Sequence, residues 1–100
     1  MSYTARFPST AVQRHFYNVL AELPEDLQDR IMQAVAGLQS NPRPFGAKSF
    51  KQLTPPVKLY EHAAQYRVRI GDCRVLYEVD DSRKIVWVLA VRKRSEGTYR

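Results

Sequence analysis

The residues best suited to chemistry are arginines within a run of alternating β-formers, residues 66–79. Gly71-Asp72, inside that run, suits a two-residue hairpin turn with glycine in the first position. A hairpin closed there places Arg67, Arg69 and Arg74 on one face of the sheet, with Arg69 directly opposite Arg74. Like charges opposed across a hairpin are destabilising, so the pair predicts an anion between the two guanidinium groups. A phosphate is the simplest candidate.

The other face of the same hairpin is apolar. The predicted pairing places six residues there as three facing pairs, Tyr66 with Tyr77, Val68 with Val75 and Ile70 with Cys73. We expect this face to pack into the core. After a polar turn at residues 80–83, residues 85–91 are continuously apolar. Such a run is typical of a central strand buried on both faces.

Two amphipathic helices are predicted before the hairpin, after a short strand at residues 3–7. Thr10 followed by Gln13 is a capping-box pattern. Apolar residues then recur at helical spacing over residues 12–23 and again over 27–38, with a proline opening the second helix. The short link between the helices predicts a helical hairpin whose apolar stripes pack against the sheet. A partner-binding groove is a second interpretation of the same stripes.

Between the helices and the hairpin, residues 41–65 contain four prolines and a glycine, which predicts a long irregular connection. His62 beside Glu61 could form a proton-transfer pair in this segment. The sequence offers no third group to orient His62, so we interpret this histidine as structural.

Composition predicts one globular domain, since the chain has 100 residues of which 44% are apolar. No run approaches the roughly 20 apolar residues of a membrane span, and the first residues lack a signal-peptide core. A single cysteine indicates a reducing compartment, so we predict a cytoplasmic protein.

The charge is unevenly distributed along the chain. Residues 1–40 hold three Lys and Arg against four Asp and Glu, whereas residues 41–100 hold thirteen against six, a net charge of +7. This asymmetry favours a polyanion or an acidic protein as partner, although solubility alone would also explain it.

The hairpin arginines, together with Arg94 and Tyr99, suit cleavage of RNA without a metal or another cofactor. No zinc motif, phosphate-binding glycine loop or nucleophile elbow is present in the sequence. Attack of a 2′-hydroxyl on its own 3′-phosphate needs a base, cations for the extra phosphate charge and an acid for the leaving oxygen. The hairpin arginines with Arg94 and Tyr99 could supply these groups. An acidic-protein-binding surface and an ordinary terminal tyrosine explain the same residues equally well.

Residues 66–80 resemble the central signature of the RelE/ParE superfamily, the toxins of bacterial toxin–antitoxin pairs. Residues 88–94 and Tyr99-Arg100 are similar to the last strand and tail of that family, and residues 44–53 to the loop before its hairpin. The resemblance implies a compact α+β fold. It would comprise a short N-terminal strand, a helical hairpin and a three-stranded antiparallel run, with the helices packed on one face of a four-stranded sheet.

The resemblance also implies the function of a ribosome-dependent mRNA endonuclease that cuts mRNA in the ribosomal A site. On this basis Arg67, Arg69 and Arg74 stabilise the phosphate, Arg94 is the general acid and Tyr99 is the general base. Four further basic residues are predicted to contact RNA or the ribosome: Lys48, Lys51, Arg92 and Lys93. The implied partners are a cognate antitoxin with an acidic segment, able to form a hetero-oligomer with the toxin, and the 70S ribosome with its mRNA and rRNA.

Several positions depart from the RelE pattern. Arg67 and Arg69 stand where the RelE type has lysine, Lys93 stands where many relatives have histidine, and the segment between Arg94 and Tyr99 is slightly shorter. We expect no histidine near the C-terminal strand, so this chain is not expected to be one of the family members that use a Glu–His acid–base pair. Two alternatives stay open: a ParE-type toxin that poisons DNA gyrase without catalysis, and a catalytically silent module that binds only its antitoxin.

Overall fold

Two helices and five strands make up the described part of the chain, which is residues 2–93 of the computed structural model. In chain order these are β1 Thr4–Arg6, α1 Thr10–Ala21, α2 Glu25–Gly37, β2 Phe50–Leu59, β3 His62–Ile70, β4 Cys73–Asp80 and β5 Ile85–Lys93. The strands form a single sheet in the order β1-β5-β4-β3-β2. β1 is parallel to β5 and every other pair is antiparallel. The predicted α+β fold, with its antiparallel run β3-β4-β5, is confirmed.

The hairpin register is the predicted one. β3 and β4 pair Tyr66 with Tyr77, Val68 with Val75, Ile70 with Cys73 and Arg69 with Arg74. Gly71 has a φ of +59°, the left-handed conformation of the first central residue in a type II′ turn. A side chain here would also approach Leu27 of α2, because an added Cβ would lie 3.3 Å from its Cδ1. The turn therefore favours glycine for its conformation, and a larger residue would also require Leu27 to shift slightly.

Both helices cover the apolar face of the hairpin. Phe16 and Leu20 of α1 and Ile31 and Val35 of α2 are buried in one core with all six apolar hairpin residues. The apolar stripes are therefore core, as predicted. The helix start is corrected by one residue, because the cap of α1 is Ser9, whose Oγ accepts a hydrogen bond from the Val12 amide at 3.2 Å.

β5 is central in the sheet, between β1 and β4, and carries an irregularity. Leu76 pairs with Ala90 and Tyr77 with Val88, so Leu89 is an extra residue on β5, a β-bulge. The bulge inverts the side-chain alternation within the strand. Val88 and Val91 both lie in the helix-covered core, whereas Leu89 packs on the opposite face. The prediction of a strand buried on both faces is confirmed.

The sheet has five strands rather than the four expected, because part of the predicted irregular connection is β2. This strand pairs with β3 along the outer edge of the sheet, and its register shifts between Gln52 and Val57. Pro55 and Pro56 lie within that shift. Proline is tolerated at an edge strand and at a bulge, where its missing N–H breaks no ladder. The prolines were therefore wrongly interpreted as excluding a strand.

The face of the sheet opposite to the helices, which carries Arg67, Arg69 and Arg74, is termed the outer face here. It has a small apolar centre, formed by buried Ala64, Leu76 and Leu89. Trp87 and three residues of β2 pack around this centre. Neither helix is long and apolar enough to cross a membrane.

Candidate functional site

Three arginines lie side by side across the outer face. Arg69 on β3 is opposite Arg74 on β4, and Arg74 is opposite Arg92 on β5. Neighbouring strands are about 4.8 Å apart, so the three side chains start within roughly 10 Å of one another. This set is the arginine row. It extends the predicted Arg69–Arg74 pair by one strand.

Two more cations flank the arginine row. Lys51 on β2 is opposite Arg67 on β3, and their strand alternation places both on the outer face. Nη1 of Arg67 donates to the Ser49 carbonyl at 3.1 Å, and the backbone N–H of Arg69 donates to the same oxygen at 2.9 Å. The backbone before β2 therefore fixes both the side chain of Arg67 and the strand that carries it.

The charge of this cluster is concentrated. Among residues 2–93, no carboxylate lies within 4 Å of the cationic groups of Lys51, Arg69 or Arg92. Arg43, elsewhere on the molecule, contrasts with them because its Nη2 lies 2.8 Å from Oδ2 of Asp81. Closely spaced cations attract an anion, and guanidinium forks fit the oxygens of a phosphate in a bidentate manner.

Not every predicted residue lies in this cluster. Lys93 is opposite Cys73 on the helix-covered side of the sheet, and its Nζ lies 4.0 Å from Oε1 of Glu22. Lys48 is exposed in the loop before β2. Arg94 and Tyr99 lie outside the described residues. The structure thus brings together Lys51 and the four arginines at positions 67, 69, 74 and 92.

A second feature of the outer face was missed from the sequence. Nδ1 of His62 donates to Oε1 of Glu78 on β4 at 2.6 Å, and the His62 ring lies 5.3 Å from the Trp87 ring of β5. The hydrogen-bond partner is therefore Glu78 rather than Glu61. The expectation that no histidine lies near the C-terminal strand was wrong, because β3 carries His62 to β5 across the end of β4.

His62 and Glu78 line an open cavity of about 870 Å³. Its other walls include Lys58, Tyr60, Arg83 and Trp87. Both members of the pair are about three-quarters buried, with side-chain exposures of 24% for His62 and 25% for Glu78. A histidine and a glutamate 16 positions apart give no local sequence signal, so only the strand pairing could have found this cavity.

Hydrogen bonds tie together the loops that border these sites. Arg43 donates to both oxygens of Asp81, and Tyr3 donates to one of them at 2.6 Å. The Arg43 guanidinium and the Tyr3 hydroxyl hold the pKa of Asp81 well below its usual range, at about 2. The hydroxyl of Tyr77 donates to the Pro42 carbonyl at 2.7 Å, and burial raises the pKa of Tyr77. Among residues 2–93, no three His, Cys, Asp or Glu side chains gather as metal ligands would.

Comparison with solved structures supports the fold. The chain is similar to archaeal RelE in the RelE–RelB complex from Pyrococcus horikoshii, with 24% identity, 94% of this chain and 97% of that chain covered, and a TM-score of 0.69. It is similar to a chain of the RelBE2 toxin–antitoxin complex from Mycobacterium tuberculosis, with 27% identity, coverage of 94% and 100%, and a TM-score of 0.62. A double mutant of E. coli toxin RelE in the free state gives 16% identity, coverage of 98% and 88%, and a TM-score of 0.53.

Comparison with sequences identifies the family. A search of curated proteins gave no significant match. The family model for the ParE toxin of the type II toxin–antitoxin system parDE matches residues 3–97, which is almost the whole chain. With the RelE-like fold, this match shows that the chain belongs to the RelE/ParE superfamily and is a toxin of the type II toxin–antitoxin class.

Proposed function

We propose that this toxin is a ribosome-dependent mRNA endonuclease. The observation that carries the proposal is the arginine row, in which Arg69, Arg74 and Arg92 face one another across three strands. Holding three guanidinium groups together is unfavourable unless an anion lies between them. In an RNA substrate that anion is the phosphate to be cut.

The proposed reaction is attack of a ribose 2′-hydroxyl on its own 3′-phosphate. The new P–O bond forms as the bond to the 5′-oxygen of the next nucleotide breaks, leaving a 2′,3′-cyclic phosphate and a free 5′-hydroxyl. The arginine row stabilises the additional negative charge on the phosphate oxygens in the transition state. Arg67, held by the Ser49 carbonyl, donates from the side of the row.

The proton transfers are assigned to the two remaining family positions. Tyr99 takes the proton of the 2′-hydroxyl and Arg94 supplies one to the leaving oxygen, roles that rest on the family resemblance alone. Lys48 and Lys51 contact RNA or the ribosome from the exposed side of β2 and its preceding loop. No cofactor enters this scheme, because arginine cations supply the charge stabilisation.

The partners in this proposal are a cytoplasmic 70S ribosome with its mRNA and rRNA, and a cognate antitoxin. The similar P. horikoshii protein was solved with RelB, and the M. tuberculosis protein as a toxin–antitoxin complex. We infer that this chain likewise forms a hetero-oligomer with an antitoxin. An acidic antitoxin segment over the arginine row would neutralise its charge and exclude mRNA.

Primer extension on mRNA from cells that express the toxin tests the proposal directly. Cuts at a fixed phase within codons are the expected result, and they should disappear when initiation is blocked so that the message carries no ribosomes. Growth arrest without codon-phased cuts would refute the nuclease.

A gyrase poison is the second candidate function, because the matching family model is that of the ParE toxin. ParE-type members generally lack an assembled arginine cluster, which favours the nuclease for this chain. The same cells distinguish the two functions, since a gyrase poison would induce DNA damage and leave mRNA intact. A silent antitoxin-binding module would produce neither effect and no growth arrest.

A further inference from the structure

We propose that the cavity around His62 and Trp87 binds an unstacked guanine base of the RNA strand whose phosphate lies at the arginine row. This inference rests on the proposed nuclease function and adds a determinant of substrate sequence to it. It concerns a site about 13 Å from the row, estimated from the four residue steps along β4 from Arg74 to Glu78.

The walls of the cavity suit the flat faces of a base. Trp87, His62 and Tyr60 line it, and the Trp87 and His62 rings lie 5.3 Å apart at 48° to each other. Single-stranded RNA is bound by stacking its splayed bases on such aromatic side chains. Tyr60 is 56% exposed and has a φ of +60°, an uncommon conformation that directs the short β2–β3 turn at the rim of the cavity.

The polar groups of the cavity suit a base edge that donates hydrogen bonds. Glu78 uses Oε1 to accept from His62, which fixes the carboxylate and leaves Oε2 as an acceptor for a ligand. Glu61, Asp80 and Asp81 also line the cavity. Asp80 accepts from Ser82 and the Arg83 amide, and Asp81 accepts from Arg43 and Tyr3, so both are engaged within the protein. The Watson–Crick edge of guanine offers two adjacent N–H donors, which a carboxylate can accept together. Uracil offers one donor on that edge, and adenine and cytosine offer one amino group beside an acceptor.

The position of the cavity suits a strand that also reaches the arginine row. Arg74, Leu76 and Glu78 follow one another along the outer face of β4. Leu76 belongs to the apolar centre, which therefore lies between the arginine row and the cavity. Lys58 lines the cavity and is a cation for a flanking phosphate, whereas Nε of Arg83 lies 3.9 Å from Oδ2 of Asp80. The outer face therefore offers one continuous track, with a phosphate site at one end and a base site at the other.

The fluorescence of Trp87 reports binding directly, because Trp87 is the single tryptophan of the chain. We would titrate the isolated toxin with GMP, AMP, CMP, UMP and ribose 5-phosphate. GMP should quench the emission with an affinity at least several-fold higher than the others. Glu78→Gln should weaken GMP by about tenfold, as expected for loss of a charged hydrogen-bond acceptor. The matched control Glu25→Gln, on the exposed start of α2, should bind GMP as wild type does.

Several outcomes would overturn the inference. Equal quenching by all nucleotides and by ribose 5-phosphate would mean that only the phosphate binds. Quenching by N-acetylarginine amide with no effect of GMP would mean that the acidic lining holds a protein cation. If Glu78→Gln bound GMP with wild-type affinity, the Glu78 carboxylate would be excluded as the group that recognises guanine.

The outcome for the nuclease is separate. If GMP binds as expected while cells show no mRNA cuts, the base site stands and the proposed function fails. If cuts occur with the same base preference in wild type and in Glu78→Gln, the proposed function stands and the base site fails. On ribosomes, the inference requires Glu78→Gln to reduce a guanine preference near the cut.

Discussion

At the scale of single residues, Arg74 occupies the centre of the outer face. It is the middle member of the arginine row and faces an arginine on each neighbouring strand. A phosphate at the row would therefore be contacted by Arg74 from between two other cations. The opposition of Arg69 and Arg74 followed from the Gly71-Asp72 turn alone, because a two-residue turn fixes the register of both strands.

We predict that Arg74→Ala abolishes toxicity while the protein stays folded. Losing one electrostatic contact to the transition state typically costs about 3–4 kcal/mol, or roughly a hundred- to thousand-fold in rate. Codon-phased cleavage would be measured by primer extension, and folding by circular dichroism. Arg30→Ala is the control, because Arg30 is exposed on α2 and makes only a long contact, 4.0 Å, with the exposed Asp26. A folded Arg74→Ala that arrests growth like wild type would show that the row is not the reactive site.

The prediction for Tyr99 rests on the family resemblance, since this residue lies outside the described part of the chain. Tyr99→Phe should bind ribosomes almost normally yet cleave mRNA about 100- to 10,000-fold more slowly, the usual contribution of a general base. Phenylalanine keeps the ring and removes only the hydroxyl. Single-turnover cleavage on programmed ribosomes measures the rate. A loss of two- or three-fold would mean that Tyr99 only orients or stacks a base.

At the scale of elements, the bulge in β5 decides which charges the outer face receives. Strict alternation from Val86 and Val88 would send Arg92 toward the helices and Lys93 outward. The extra residue Leu89 reverses this, so Arg92 joins the arginine row and Lys93 approaches Glu22. The sequence shows only a continuous apolar run here, which has no alternation from which a bulge could be detected.

We therefore predict opposite results for two neighbouring cations of one strand. Arg92→Ala should reduce cleavage by at least tenfold, because it removes a member of the row. Lys93→Ala should change cleavage less than two-fold, because its side chain lies on the other side of the sheet. Both rates would be measured on programmed ribosomes with purified, folded variants. Equal losses in the two variants would contradict the assignment of faces.

Strand β2 and the pair of His62 with Glu78 could not be predicted from the sequence, because both depend on how the strands are placed in the sheet. The prolines of β2 are compatible with an edge strand only because β2 has a partner on one side, and the pairing of His62 with Glu78 depends on where β3 ends. In both cases tertiary placement overrides the local signal. The helices were predicted correctly from their periodic apolar spacing, the hairpin turn from Gly71-Asp72, and the buried strand β5 from its continuous apolar run.

The tie between Arg43 and Asp81 predicts a pH dependence of stability. The pKa of Asp81 is lowered to about 2 in the folded chain. Its carboxylate therefore contributes to the stability of the fold fully above the unfolded pKa of about 3.9, and this contribution is lost as the pH falls through 2. Asp81→Asn should therefore lower the melting temperature at pH 7, and the difference from wild type should close near pH 2. Asp29→Asn, at an exposed position of α2, is the matched control. A difference that persists unchanged at pH 2 would exclude the ion pair as its cause.

At the scale of the whole molecule, positive charge is separated from the helices. Residues 1–40, which include β1 and both helices, have a net charge of −1, whereas the remaining residues have +7. Five cations of this second part, Lys51, Arg67, Arg69, Arg74 and Arg92, lie on the outer face, opposite to the helices. The hairpin register predicted the face that carries Arg67, Arg69 and Arg74, whereas Lys51 and Arg92 lie there because of the β2 pairing and the β5 bulge.

We predict that an acidic antitoxin associates with this face at a strongly salt-dependent rate. The association rate constant, measured by stopped flow from 50 to 500 mM salt, should fall by at least tenfold as screening increases. The dissociation rate should change much less. An association rate that is flat across ionic strength would exclude the arginine row as the surface that attracts the antitoxin.

The cations of the outer face, opposite to helices that lie in a segment with a net charge of −1, contribute a dipole moment to the described part of the molecule. Its negative end lies toward the helices and its positive end toward the outer face. In the field of a large anion a dipole experiences a torque as well as an attraction, and both act beyond the range of contact. We therefore expect a toxin that diffuses toward a polyanion to rotate before it arrives. The arginine row should then meet the partner first, with the helices on the far side of the sheet.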